Sequence, residues 1–289
     1  MLLAKMENTC SLVNNNHYTQ LDACYEEERR TVWMMLNAHP RPSFNYQLIE
    51  EIMNFSYQVQ QSGLVVDFWV TGSSVPGIYN TGGDLLFFIE CIRNKRREAL
   101  RAYARACIDC LHSASRGFGT GAVSIAMVEG SALGGGLEAA LAHHFVFAQC
   151  NARMGFPEIT FNMFPGMGGY SLVARRSGMK LAERMIMNGE SHKAEWCKKY
   201  GLVDQVFAPG DGICMTRAFI DATIPKLNGV RAMLRGRDRV MNINRSELMD
   251  ITEDWVESAF RLSGNDIAYM ERLLILQQRF MASTMANDG

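Results

Sequence analysis

Short, uninterrupted apolar runs alternate along this chain with longer stretches in which apolar residues recur every three or four positions. The runs at 31–36, 64–70, 124–129, 144–148 and 202–207 have the length and continuity of strands buried on both faces. Between them, Leu48, Ile49, Ile52 and Met53 mark one face of a helix over 46–60. Leu100, Tyr103, Cys107 and Leu111 mark another over 99–112. Shorter helices are expected at 85–92, 139–143, 171–176 and 180–187. This repeated strand, helix, strand order predicts an α/β fold with a parallel sheet and crossover helices. Pro209 and Gly210 break the pattern, and a helix is expected to start at Asp211. Further amphipathic helices follow at 247–262 and 266–280. We therefore divide the chain into a core over 1–210 and a helical region over 211–289. Residues 1–30, with Asn14-Asn-Asn16 and Glu26-Glu-Glu-Arg-Arg30, read as a polar N-terminal extension with an edge strand.

Composition narrows the function classes. With 289 residues and 48% hydrophobic content, the chain can bury a large core. A net charge of −1 and the absence of a long basic tract argue against nucleic acid as a partner. The run Arg93-Asn-Lys-Arg-Arg97 reads as a solvated connector or as a patch facing an acidic protein. No apolar run approaches the ~18 residues of a membrane span, and 1–6 carries no secretory signal. Eight dispersed cysteines then fit a reducing cytoplasm.

Candidate chemistry concentrates between Val123 and Tyr170. The strand at 124–129 stops at Gly130, and Leu133-Gly-Gly-Gly-Leu-Glu138 opens the next helix, whose first turn presents free N–H groups. Glu138 sits in that turn. Twenty positions later, Pro157 stiffens the approach to Glu158, and Pro165-Gly-Met-Gly-Gly169 supplies a second glycine turn. Taken singly, Glu138 is explained by the helix dipole and Glu158 by a surface loop. Taken together, two carboxylates with unequal burial can divide the work of an acid and a base. Glycine turns let backbone N–H groups approach an oxyanion. Other motifs carry less. Cys107-Ile-Asp-Cys110 lies mid-helix without a redox context, and Gly117-Phe-Gly-Thr-Gly121 follows no strand. His143-His144 lacks ligands at metal spacing, so no metal is expected. Ser113 and Ser115 near His112 lack a nucleophile elbow.

The segments Ala132-Leu-Gly-Gly-Gly-Leu-Glu138, Phe156-Pro-Glu158 and Pro165-Gly-Met-Gly-Gly169 resemble the crotonase (enoyl-CoA hydratase/isomerase) superfamily. Leu36-Asn-Ala-His-Pro40, Phe44-Asn45, Phe68-Trp-Val-Thr-Gly72 and Tyr79-Asn-Thr-Gly-Gly-Asp-Leu85 are similar to its earlier signatures, in order, over roughly residues 30–210. The resemblance implies a ββα spiral core and a C-terminal helical part covering an acyl pocket or forming subunit contacts. It implies Glu138 and Glu158 as catalytic, with Glu158 moving the α-proton and Glu138 handling the hydroxyl or water. Its oxyanion donors map to Thr81, with Gly82 as neighbouring candidate, and to Gly135. Asn80-Thr-Gly-Gly-Asp-Leu85, Phe161-Asn-Met-Phe-Pro-Gly-Met-Gly-Gly-Tyr-Ser171 and Ile251-Thr-Glu-Asp-Trp-Val256 are similar to one branch, the bacterial diffusible signal factor synthases. That branch implies dehydration of a 3-hydroxyacyl chain on acyl carrier protein to the cis-2-enoyl thioester, then hydrolysis to a free acid used as a quorum-sensing signal. It implies no cofactor, and it admits a cognate sensor protein and a homo-oligomer as assemblies. Met167, Trp255 and Leu273 are candidates to line the acyl tunnel, against a default of plain core packing. Two rival readings stay open: an ordinary enoyl-CoA hydratase or isomerase, and a catalytically idle protein of this fold acting as a binding partner.

Overall fold

The computed structural model describes residues 18–287, with side chains described as far as Gln277, and it turns each apolar run into a strand. Expectations placed on residues 1–17, including the asparagine run at 14–16, lie outside the described residues. In chain order the strands are β1 (Leu21–Glu26), β2 (Thr31–Leu36), β3 (Phe68–Ser73), β4 (Ile78–Asn80), β5 (Val123–Val128), β6 (Ser131–Leu133), β7 (Phe145–Gln149), β8 (Arg153–Gly155), β9 (Ser191–Lys193) and β10 (Gln205–Phe207). The helices are α1 (Tyr46–Gln61), α2 (Leu85–Arg93), α3 (Arg97–Ser115), α4 (Gly135–Ala142), α5 (Gly169–Ser177), α6 (Met179–Asn188), α7 (Ala194–Lys199), α8 (Gly212–Thr223), α9 (Leu227–Val240), α10 (Arg245–Ala259) and α11 (Gly264–Asn287). The main sheet runs β1-β2-β3-β5-β7-β10. Its strands are parallel except β1, which pairs antiparallel with β2 at the edge.

The strands read as continuous apolar runs because both faces of the sheet are covered. Trp33, Met35, Phe68, Val70, Ile125 and Met127 face one layer, where Ile220 of α8 and Leu227 and Leu234 of α9 close over them. Val32, Met34, Trp69, Ala126 and Val128 face the other, against α1, α3 and α4. A second sheet, β4-β6-β8-β9, crosses the ends of these elements. Its strands are three residues each, too short to show a period, and no run in the sequence announced it. The loop Gly117–Gly121 is a turn that drives Phe118 inward with φ 54°, stacking its ring on Trp69 at 4.4 Å. Gln60 Nε2 holds that turn by donating to Phe118 O at 2.8 Å.

The C-terminal helices divide in two, which corrects the expectation that residues 211–289 form one cover over a pocket. α8 and α9 back the sheet instead, fastened by Arg29 to Asp221 at 2.7 Å, Arg217 to Glu26 at 3.0 Å and Arg231 to Asp67 at 2.9 Å. Only α10 and α11 reach the other side. Glu253 on α10 takes Arg101 and Arg105 of α3, each at 2.7 Å, and Trp255 meets Phe88 of α2 edge-on at 4.9 Å. Arg93 at the end of α2 pairs with Glu271 on α11 at 2.7 Å. Because Trp69 is fully buried between Phe55 and Phe118, Trp69→Ala is expected to lower stability by about 3–5 kcal/mol. A urea titration should show a lower midpoint at unchanged slope.

Candidate active site

Where β6 ends, the chain turns through Gly134 (φ +53°) directly into α4. α4 thus begins at Gly135, four residues earlier than its apolar pattern suggested. A Cβ on Gly134 would lie 2.3 Å from Glu158 Oε1, so the turn needs glycine both for its backbone angle and for the space above it. Glu138 stands in the first turn of α4, 1% exposed. Its Oε1 accepts two hydrogen bonds, from Met167 N at 2.8 Å and Gly169 N at 2.7 Å. Glu158 follows Pro157 in a short helical turn, Pro157–Phe161, that runs on from β8. The residue is partly exposed, but its Oε2 is buried and has no hydrogen-bond partner among the described residues.

These surroundings set the two carboxyls apart. Burial pushes Glu138 up to about 7, and the N–H groups of Gly169 and Met167 pull it partway back. Burial pushes Glu158 well above the usual carboxylate range, and the nearby charge of Glu138 pushes it in the same direction. Two donors stand on one side and none on the other, so the two carboxyls sit in unequal surroundings.

The glycine turns lie against each other. A Cβ on Gly82 would sit 2.9 Å from Gly135 N, and one on Gly135 would sit 3.5 Å from Gly83 N. Among the described residues neither Gly83 N nor Gly135 N donates a hydrogen bond within the protein. The expectation for the first loop is corrected here. Thr81 N donates to Pro42 O at 2.8 Å and Gly82 N to Asn80 Oδ1 at 2.7 Å, so neither N–H is available to a ligand. Gly83 is the residue whose N–H is free. The bond on Thr81 comes from a proline carbonyl remote in sequence, which leaves no mark there, and the one on Gly82 is a local Asx turn from Asn80.

Both carboxylates and both turns border one cavity of about 240 Å³. Thr81, Gly135, Met167, Trp255 and Leu273 all line it, so the tunnel candidates are brought to the same space as Glu138 and Glu158. Gly83, Phe88, Tyr103, Cys107, Phe161 and Leu276 line it as well. Sequence reasoning placed Tyr103 and Cys107 on the buried face of α3 but gave them no part in a site. The histidines stand elsewhere. His143 bonds Thr71 Oγ1 at 2.9 Å, Ser124 N donates to His144 Nδ1 at 2.9 Å, and burial pushes the two rings down to about 4 and about 3. Cys107 and Cys110 are buried thiols, both pushed up by burial. Among the described residues no group of three metal-ligating side chains comes together, and no helix is long and apolar enough to cross a membrane. In the run at 93–97, Arg93, Arg96 and Arg97 pair with Glu271, Glu90 and Glu257.

Known proteins resemble this chain in sequence and in fold. The sequence profile described as enoyl-CoA hydratase/isomerase matches residues 26–219. A 2,3-dehydroadipyl-CoA hydratase of Escherichia coli (strain K12) is 47% identical over 87 residues, which are 30% of this chain and 34% of that protein. The peroxisomal fatty acid β-oxidation multifunctional protein AIM1 of Arabidopsis thaliana is 42% identical over 93 residues, 32% of this chain. The match spans only 13% of AIM1's own length. Among solved structures, an enoyl-CoA hydratase/isomerase from Xanthobacter autotrophicus Py2 superposes with a TM-score of 0.76 at 19% identity, over 92% of this chain and 97% of that one. DspI of Pseudomonas aeruginosa gives 0.66 at 23% identity, over 80% of this chain and 86% of that one. At such identities the two structures show a shared fold.

The buried carboxyls make stability depend on pH. A raised acid binds its proton more tightly folded than unfolded, so the contribution of Glu138 to stability is fully present below the ordinary carboxylate value of 4.5 and is lost as pH rises through about 7. Glu138→Gln keeps an acceptor for the two N–H groups and removes the ionisation. The variant should show a flatter melting temperature than the parent between these pH values, with Glu158→Gln changing the profile in the same direction.

Proposed function

The chain belongs to the enoyl-CoA hydratase/isomerase family, and from that premise we propose that it acts on a 3-hydroxyacyl thioester carried by acyl carrier protein. It removes water to give the cis-2-enoyl thioester and then hydrolyses the thioester, releasing a cis-2-unsaturated fatty acid as a diffusible signal. The observation that carries this reading is the convergence of two buried carboxyls and two unpartnered N–H groups at one end of an apolar cavity. The thioester oxygen is placed between Gly83 N and Gly135 N, where each donor to a developing enolate contributes about 3 kcal/mol. The acyl chain lies along Phe88, Phe161 and Trp255. Elimination breaks the Cα–H bond toward one carboxylate, while the other carboxylic acid protonates the leaving hydroxyl. With Glu158 as the base, Glu138 carries the proton that goes to the leaving hydroxyl. A water activated by the same pair then attacks the carbonyl and expels the thiol. The finer reading is supported by the three segments that resemble the signal synthases. All three meet at the cavity, through Gly83 and Leu85, through Phe161 and Met167, and through Trp255.

A second reading has its own support. Two carboxyls and two unpartnered N–H groups on one cavity are also what an ordinary hydratase needs to add water across an enoyl thioester. Mass spectrometry of the products from a 3-hydroxyacyl carrier-protein thioester separates the two. Free cis-2-enoic acid supports the synthase. A trans-enoyl product still on its thiol supports the hydratase, and no turnover of any thioester would leave an idle scaffold. Glu138→Gln and Glu158→Gln are each expected to lower the rate at least about 10²-fold with the fold intact by circular dichroism. Full activity in both variants would exclude this pair as the acid and base.

A further inference from the structure

A second void lies behind the catalytic cavity, and two side chains separate them. It measures about 20 Å³ and sits between α1, α3 and the adjoining face of the main sheet, against Ile52, Tyr79, Cys110, Ala114 and Phe118. Cys107 and Met167 line both spaces. The inner walls are nearly all apolar. His143 and Thr71, also on its wall, bond each other, and the Tyr79 hydroxyl, on a side chain 2% exposed, has no partner. A void of this size accommodates one water, but a buried water is held by two to four polar partners. Here one unengaged hydroxyl faces it. Such a water is weakly kept, and an apolar group that replaces it meets little resistance.

We propose that this inner void is a subsite for the far end of the acyl chain, and that Cys107 sets how long a chain the protein accepts. The inference rests on the acyl-thioester reading of the outer cavity. With the carbonyl at Gly83 and Gly135, a chain running inward along α3 arrives at Cys107. The partition there is thin. Cys107 is small, and Met167 is an unbranched thioether whose side chain re-packs readily. A shift of the Met167 side chain joins the two spaces while its backbone N–H stays on Glu138. Beyond the partition, Ala114 on the next turns of α3 borders the inner void and not the outer cavity, so it limits depth without touching the chemistry.

Calorimetric titration with a ladder of saturated primary fatty amides tests this. These probes present a carbonyl to the two N–H groups but carry neither a hydroxyl to eliminate nor a thioester to cleave. Affinity should rise roughly fourfold per added methylene, as burial of each one contributes, up to a limiting length. Cys107→Ala should move that limit to longer chains. Ala114→Val should move it to shorter ones, with the affinity of short amides unchanged. The same limiting length in all three proteins, or no binding at any length, would overturn the proposal. Because the probes do not react, the ladder is independent of the synthase assay. A protein that makes no cis-2-enoic acid but shows the shifted limits loses the reaction and keeps the subsite.

Discussion

The site depends on a buried carboxylate that is held by two backbone N–H groups. Burying Glu138 in the first turn of α4 is unfavourable unless its charge is met. The donors that meet it, Met167 N and Gly169 N, belong to the turn leading into α5. One side chain therefore fixes how two glycine-rich turns stand to each other. It also leaves its partner without support, because no donor is left over for Glu158 Oε2. The unequal pair is a consequence of how the backbone is tied together.

The fold supplies the rest by putting strand ends and helix starts in one place. β4 and β6 pair side by side, so the loops that follow them, carrying Gly83 and Gly135, emerge together. β8 pairs with β6 on its other side and delivers Glu158 above Gly134. Three very short strands thus align three loops. The larger sheet, buried on both faces, gives these loops a rigid base.

The apolar half of the site comes from helices distant in sequence. α3 presents Tyr103 and Cys107, α2 presents Phe88, and α10 and α11 bring Trp255 and Leu273 across from the C-terminal part. Ion pairs between α3 and α10 and between α2 and α11 set the spacing of that wall. The same helix face that closes the cavity also borders the inner void, so catalytic position and chain depth share α3 as a common wall.

Much of this was determined by the sequence alone. Short apolar runs bounded by turn signals fit strands of a sheet covered on both faces, and the strand at Thr31–Leu36 stands where its pattern put it. Glu138 and Glu158 were singled out by a joint pattern of carboxylates, glycine turns and a proline, and it took the fold to bring them to one cavity. Met167, Trp255 and Leu273 were proposed only through resemblance, since an apolar side chain looks the same in a core and in a tunnel, and the fold brings all three to the cavity of the two glutamates. What the tertiary structure decided is which N–H groups remain free. Thr81 and Gly82 stand in the same glycine loop as Gly83; Gly82 N is taken locally by Asn80 Oδ1, but Thr81 N is taken by Pro42 O, an acceptor that arrives only when the chain folds. The division of the C-terminal helices between the back of the sheet and the mouth of the cavity was decided the same way. Amphipathic periodicity says that a helix has a buried face, and contacts between segments far apart in sequence say against what.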